Sequence, residues 1–396
     1  MINTNDDMIL QFAVIGFRRL LSFEESPPIQ AVVDANLVPK FIGFLGRDDL
    51  PKLQFESAWC LTNIASGEHE HVEVLIGKGT VDAFVRLLRT QHFEVIEQAI
   101  WGLGNLAGDN PRIRDIVINA GAVNPIAELL DRTAPGNSFV RNASWTLSNF
   151  CRGRPAPKFE KVIRCIPSLA KVLIENDAEE ILTDICWAMS YISDGGQGHI
   201  PVILQTNVLP RLVQLLEHDH LAISVASLRT IGNILTGNDE ETQAAIDAGA
   251  LEAFVRLITH PKKAIRKEVC WSVSNITAGN KYQIQMALDS GLIDKLVHLL
   301  QHDDTDIKKE AVWALSNCTT YATPQQYYTL ADKGALQALV AVLDIQTEAR
   351  TLIVSMEGIS NILKCGKQHF TNEGQDENPF AVVLEKCGGV DKIEDL

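Results

Sequence analysis

The chain lacks an excess of basic charge. Its 396 residues include 35 Lys or Arg against 50 Asp or Glu, for a formal charge of −15. This balance excludes a protein that holds nucleic acid directly by neutralising phosphates, and it favours solubility or a basic partner. Long apolar runs are also missing. None reaches the roughly 18 residues needed to cross a bilayer, so a soluble, well-folded chain without membrane insertion is expected. The first residues, Met-Ile-Asn-Thr-Asn-Asp-Asp, hold no basic region of a secretory or transit peptide.

Metal and enzyme signatures are absent as well. The eight cysteines (Cys60, Cys151, Cys165, Cys186, Cys270, Cys318, Cys365 and Cys387) show no Cys-x-x-Cys and no zinc spacing. Most fall in apolar helical stretches, which points to a reduced, intracellular protein with small buried thiols. No phosphate-binding glycine loop or nucleophile elbow appears. His298 and His302 stand at i, i+4, and His218 and His220 flank Asp219; both sets read as surface or inter-helix histidines. No catalytic residue, cofactor or metal is expected.

What the chain does have is a repeat. One segment recurs as FESAWCLTNIASG (55–67), QAIWGLGNLAGD (98–109), NASWTLSNFCRG (142–153), DICWAMSYISDG (184–195), SLRTIGNILTG (227–237), EVCWSVSNITAG (268–279), EAVWALSNCTT (310–320) and MEGISNILKCG (356–366). Its lead positions, Trp59, Trp101, Trp145, Trp187, Arg229, Trp271, Trp313 and Glu357, are separated by 42, 44, 42, 42, 42, 42 and 44 residues. A period near 42 belongs to the armadillo and HEAT class. A second segment lies between, as in AGAVNPIAELL (120–130), AGALEAFVRLI (248–258), SGLIDKLVHLL (290–300) and KGALQALVAVL (333–343). Its apolar residues mark a buried helical stripe.

The glycines Gly121, Gly249, Gly291 and Gly334 fit a bend before that second helix, so each unit reads as helix, helix, long helix. Gly67, Gly153, Gly195, Gly237 and Gly279 close long helices and are expected to be left-handed caps. The expected fold is an all-α superhelical solenoid of armadillo repeats, a single domain over 1–396 with three helices per repeat. Complete repeats are placed at about 27–67, 69–109, 111–153, 157–195, 197–237, 239–279, 281–321 and 323–366, with partial ones at 8–22 and 368–396.

In each long helix the Trp at i, the residue at i+4 and the residue at i−3 share a face. The i+4 residue is usually Asn. The i−3 row reads Glu56, Gln98, Asn142, Asp184, Ala226, Glu268 and Glu310, of which six of seven are acidic or amide. In the 93–109 segment Ile96, Ala99, Ile100, Leu103 and Leu106 already form the core stripe, so the Trp face points elsewhere. A Trp at helical spacing is ordinarily core, but a core would leave these amides and carboxylates unpaired. The Asn reads instead as a side chain that donates to and accepts from the backbone of an extended guest.

Long helices about 8–10 Å apart would stand the indoles as parallel walls. The slots between them fit a long aliphatic stem, whose cationic head gains roughly 0.5–2 kcal/mol from cation–π attraction. Acidic groups at the floor would then select Lys or Arg. Trp187 followed by Tyr191, and Arg229 in place of Trp, divide the ladder, and a cation at 229 would repel a basic guest. One slot system falls over Trp59, Trp101 and Trp145, and another over Trp271 and Trp313. A guest with two basic clusters would need a linker of about 11 extended residues to reach both.

These motifs together resemble importin alpha, over nearly the whole chain from about residue 10. The resemblance includes the family's irregular Tyr and Arg units. It implies an adaptor, shuttling between cytoplasm and nucleus, that binds classical mono- and bipartite nuclear localisation signals and is carried by importin beta. Its implied major site is Trp59, Asn63, Gly67, Trp101, Asn105, Asp109, Trp145 and Asn149, with Gln98 and Asp184 nearby, and with Asp109 bridging the critical lysine. The implied minor site is Asn233, Gly237, Thr242, Trp271, Asn275, Glu310, Trp313, Asn317 and Asn361, and Glu268 joins it from the i−3 row.

The family usually places Thr where Val72 stands, so one hydrogen bond to that lysine is expected to be absent or supplied by water. The family's basic importin-beta-binding arm has no counterpart before Arg18 and Arg19. The expectation is a trimmed chain, open to cargo and unable to recruit importin beta, with an export receptor as a further partner at the C-terminal repeats. An armadillo protein resembling beta-catenin is the alternative; it would use a basic groove for acidic partners, against the acidic row seen here.

Overall fold

The 42-residue period resolves into helices of unequal length in a computed structural model that describes residues 2–134, 138–196, 198–344, 346–372 and 377–396. The chain forms two compact units, Met1–Val208 and Leu209–Leu396. In the first, α1 (Asp7–Leu21) precedes the triplet α2 (Ile29–Asp34), α3 (Val38–Phe44) and α4 (Pro51–Ala65). The next triplets are α5 (His69–Gly77), α6 (Thr80–Leu87) and α7 (Phe93–Asp109), then α8 (Pro111–Asn119), α9 (Val123–Arg132) and α10 (Ser138–Cys151). The unit ends with α11 (Phe159–Val162), α12 (Cys165–Glu175), α13 (Glu179–Ser193) and α14 (Ile200–Leu204).

The second unit opens on α15 (Leu209–Leu215) and α16 (Leu221–Ile234). It continues with α17 (Asp239–Asp247), α18 (Ala250–Leu257) and α19 (Lys263–Thr277), and with α20 (Lys281–Asp289), α21 (Leu292–His302) and α22 (Thr305–Cys318). It closes with α23 (Pro324–Asp332), α24 (Ala335–Ala341) and α25 (Ala349–Asn372), followed by α26 (Pro379–Lys386) and α27 (Gly389–Glu394). No strand occurs among the described residues. The helix, helix, long helix order expected from the repeat is therefore present. The last partial repeat, read at 368–396, includes 373–376, which lie outside the described residues.

Each long helix packs along its neighbour, α4 on α7, α7 on α10 and α10 on α13 in one unit, and α16 on α19, α19 on α22 and α22 on α25 in the other. The second helices supply the floor: Phe84, Ile126, Leu169, Phe254, Leu296 and Leu339 are fully buried. In α7 the predicted stripe of Ile96, Ala99, Ile100, Leu103 and Leu106 is buried, whereas Trp101 is 42% exposed. The period-3.6 pattern thus separates core from ladder within a single helix.

The two glycine classes behave differently. Gly121, Gly249, Gly291 and Gly334 have φ of 88°, 97°, 82° and 82°, the left-handed bend that a residue without Cβ adopts at no steric cost. Among the closing glycines only Gly153 is left-handed, with φ 107°. The expected caps at Gly67, Gly195, Gly237 and Gly279 do not form. There the glycine makes room for a side chain of the next helix. A Cβ on Gly237 would lie 2.0 Å from Glu241 Oε2, and one on Gly279 would lie 2.0 Å from Gln283 Oε1. Those side chains fold back to accept from the N-cap backbone of Asn238 and Asn280 in reciprocal capping boxes.

Gly366, at the end of the repeat placed at 323–366, sits inside α25, which runs on to Asn372. Its missing side chain admits Asn378, whose Oδ1 would lie 2.3 Å from an added Cβ.

Because neighbouring repeats within each unit stack through their long helices, a cavity there weakens two repeats at once. Leu103→Ala is expected to cost about 2–5 kcal/mol, measured as a lowered midpoint in urea unfolding.

Candidate peptide-binding site

All six tryptophans of the chain lie on long helices, and each unit carries its own ladder. In the first unit Trp59, Trp101, Trp145 and Trp187 stand on α4, α7, α10 and α13. In the second, Trp271 and Trp313 stand on α19 and α22. Two glycines set how closely the indoles seat. A Cβ on Gly104 would lie 2.3 Å from Trp145 Cζ3, and one on Gly232 would lie 2.4 Å from Trp271 Cζ3. Each glycine lets the next indole lie on bare helix backbone.

The asparagines do something the sequence did not reveal. Asn105 Nδ2 donates to the Thr62 carbonyl at 3.0 Å, and Asn149 Nδ2 donates to the Gly104 carbonyl at 3.2 Å. Asn275 donates to Gly232 at 3.3 Å and Asn317 to Ser274 at 2.9 Å. Each acceptor immediately precedes the ladder Asn of the previous long helix. Asn63 reaches Ser22 Oγ at 2.9 Å, and Asn361 reaches Thr319 Oγ1 at 3.1 Å. The reading that gave these amides wholly to a guest is therefore corrected: one N–H holds the neighbouring repeat. No hydrogen bond within the described residues reaches the amide oxygens of Asn105, Asn149, Asn275 or Asn317, which leaves an acceptor for a guest N–H.

The acidic row is buried at Glu56, half-buried at Asp184, Glu268 and Glu310, and only partly neutralised. Burial raises the Asp184 carboxyl to about 6, with Glu180 adding to the rise and Arg141 opposing it. Burial also raises Glu268, against the pull of Arg229 and Lys267. Glu310 is raised mainly by burial, with Lys267 pulling down and Glu268 pushing up. Gln98 Nε2 and Glu268 Oε2 are buried with no hydrogen-bond partner among the described residues. Such groups gain from an incoming cation or donor, because they have already lost their water.

Two arginines occupy the slots from within. Arg18 Nε donates to Glu56 Oε2 at 2.8 Å, while its guanidinium lies 4.6 Å from the Trp59 ring centre. Arg229 pairs with Glu268 at 2.5 Å and lies 5.3 Å from the Trp271 ring centre. The cation expected at 229 to repel a basic guest is paired with Glu268, which reduces that repulsion. Sequence reasoning missed Arg18, which stands 41 residues before Trp59, one short of the usual step, with Ser22 likewise 41 before Asn63. It also missed Arg350, whose guanidinium is 5.4 Å from the Trp313 ring centre. Trp187 stacks on Tyr191, with ring centres 5.9 Å apart, and this closes the first ladder.

Beyond the ladders, Asp109 ends α7 with its side chain 15% exposed, beside Asn110 and His69. Val72 is fully buried on α5 and brings no hydroxyl. Gly67 lies under the His71 ring. In the second unit Gly237 and Thr242 flank the α17 cap, with Thr242 Oγ1 donating to the Leu235 carbonyl at 3.4 Å, and Asn233 is buried.

Stacked helical triplets with a polar, tryptophan-lined face define an armadillo-repeat protein. The Armadillo/beta-catenin-like repeat family matches residues 25–66, 69–108, 110–152, 196–236, 238–278 and 280–320. The chain is 45% identical over 394 residues to importin subunit alpha-1b of Oryza sativa subsp. japonica, covering 99% of this chain and 73% of that protein. It is 50% identical over 393 residues to importin subunit alpha-B of Dictyostelium discoideum, covering 99% and 75%. An engineered protein of solved structure aligns with a TM-score of 0.84 at 25% identity, covering 100% of this chain and 92% of that one. The chain belongs to the importin alpha family, whose members are transport adaptors and not enzymes.

A carboxyl raised by burial destabilises the folded chain when ionised. Asp184 holds its proton to a higher pH when folded than when unfolded, so the penalty is absent in acid and complete above about pH 6. Asp184→Asn should therefore stabilise the fold at pH 7.5 by roughly 1 kcal/mol, a modest value because the group is partly solvated. Thermal melts should show that gain vanishing by pH 4.

Proposed function

We propose that the chain is a nuclear import adaptor that shuttles between cytoplasm and nucleus and binds mono- and bipartite nuclear localisation signals. These signals are extended peptides rich in Lys and Arg. The observation that carries this reading is the pair of internal arginines. Arg18 on Glu56 and Trp59, and Arg229 on Glu268 and Trp271, are basic side chains held by an indole wall and an acidic floor. An incoming Lys or Arg would take the same combination in the next slots, formed by Trp101 with Gln98, Trp145 with Asp184 nearby, and Trp313 with Glu310. Cation–π attraction of about 0.5–2 kcal/mol per slot adds to charge-assisted bonds at the floor.

The guest backbone is held by the amide oxygens of Asn105, Asn149, Asn275 and Asn317. In this reading the major site is Trp59, Asn63, Gly67, Gln98, Trp101, Asn105, Asp109, Trp145, Asn149 and Asp184. The minor site is Asn233, Gly237, Thr242, Glu268, Trp271, Asn275, Glu310, Trp313, Asn317 and Asn361. Membership of the importin alpha family supports two further partners: importin beta, engaged through an N-terminal arm, and an export receptor at the C-terminal repeats. A beta-catenin-like use of the face for acidic partners would set their charge against this row of carboxylates.

Asp109 is the acid assigned to the critical lysine. Asp109→Lys should abolish binding of a peptide with one basic cluster, a loss of about 2–5 kcal/mol. Unchanged affinity by calorimetry would remove Asp109 from the site. Combining Trp271→Ala with Glu310→Arg should weaken peptides with two basic clusters far more than peptides with one. Equal losses in a fluorescence titration would contradict the use of two sites.

A further inference from the structure

The acid assigned to the guest lysine already has a partner. Asp109 Oδ2 lies 2.7 Å from Nδ1 of His69, the first residue of α5. The other ring nitrogen, Nε2, lies 3.4 Å from Glu73 Oε1 on the same helix. Nδ1 shares a hydrogen bond with Asp109, and the Glu73 carboxylate facing Nε2 adds a charge contact that favours the protonated ring. The ring is half exposed, whereas the Asp109 side chain beneath it is 15% exposed.

The surrounding groups favour the charged ring. Asp109 at the end of α7 raises its proton affinity most, with Glu73 and Glu70 on α5 adding to the effect. From α8, Arg112 pairs with Glu73 and draws part of that charge. Asn110 donates to the same Asp109 oxygen from the side. His71, the nearest other histidine, turns the opposite way, toward Gln30 on α2 at 2.9 Å.

We propose that His69 is a built-in competitor for the lysine pocket: protonated, it holds Asp109, and a guest lysine displaces it with release of one proton. This rests on the reading of Asp109 as the lysine's partner. Two cations crowded on one carboxylate repel each other, so the bound lysine both removes the histidine's partner and sets a like charge beside it. The ring then binds its proton less tightly in the complex than in the free chain. By linkage, affinity rises with pH across the interval between those two values, by at most tenfold per pH unit for one proton. Val72 sharpens the contest, because the pocket has no hydroxyl there to hold the lysine by other means.

The test uses the whole chain and a peptide with one Lys-rich cluster. Calorimetry is run from pH 6.5 to 8.5 in two buffers of different ionisation enthalpy. The parent chain should bind about three- to tenfold tighter at the upper end, with proton release visible as a buffer-dependent heat. His69→Ser and His69→Gln should both lose the proton release. They should also bind more tightly than the parent at pH 6.5, the Gln variant showing that titration, not bulk, is responsible. Titration of Asp184 is common to all three chains and cancels in the comparison. No proton release by the parent, or the parent's pH profile persisting in either variant, overturns the proposal. Asp109→Asn separates the two claims. If it binds like the parent, the lysine-pocket reading itself fails. If it weakens binding while the His69 variants keep the parent profile, only the competition fails.

Discussion

Both ladders depend on how closely one long helix leans on the next. A ladder asparagine reaches across and donates to a carbonyl of its neighbour, and a glycine on that neighbour clears the space in which the following indole lies. Each hydrogen bond contributes only about 0.5–1.5 kcal/mol net. Its larger effect is on register. Asn149 binds the residue just before Asn105, and Asn275 binds the residue just before Asn233. The repeat to which an asparagine belongs is thereby tied to a fixed place on the repeat before it, and the spacing of the indoles follows.

On that scaffold the electrostatics are left incomplete. The row beside the tryptophans holds carboxylates that have lost water without gaining a full complement of cations, as the raised Asp184, Glu268 and Glu310 record. Each unit begins its ladder with one arginine that answers one of these acids and covers one indole. Among the described residues no arginine or lysine forms an ion pair with Asp184 or Glu310. A face arranged in this way costs folding stability, which a cation brought to it would recover.

The sequence made the repeat, the helix order and the ladder residues legible because all three are periodic, and a period survives without coordinates. It also showed that Ile96, Ala99, Ile100, Leu103 and Leu106 are core while Trp101 is not. What it hid were relations between side chains about 40 residues apart. The second role of Asn105 depends on a carbonyl in the preceding helix, and a backbone acceptor has no letter in the sequence. The closing glycines misled for a related reason. A glycine at a helix end has two uses, a left-handed φ or room for a neighbour, and only the position of the Glu241 or Gln283 side chain decides between them. His69 was invisible because it breaks no pattern of its own and matters only through Asp109.

The folded-back capping side chains have one more consequence, for how such a chain can change over generations. At four boundaries the closing glycine faces the residue four positions on: Gly67 with His71, Gly195 with His199, Gly237 with Glu241, and Gly279 with Gln283. At the end of α7 the arrangement differs. The residue four beyond Asp109 is Ile113, whose side chain is buried, and its helix is capped from Asn110 instead. With no polar side chain folded back over the position, the closing residue can keep a side chain of its own. The two positions are therefore sterically coupled. A lineage that acquired a long polar residue at 113 would have to surrender the carboxylate at 109, so the freedom to carry chemistry at this boundary is set in the following repeat.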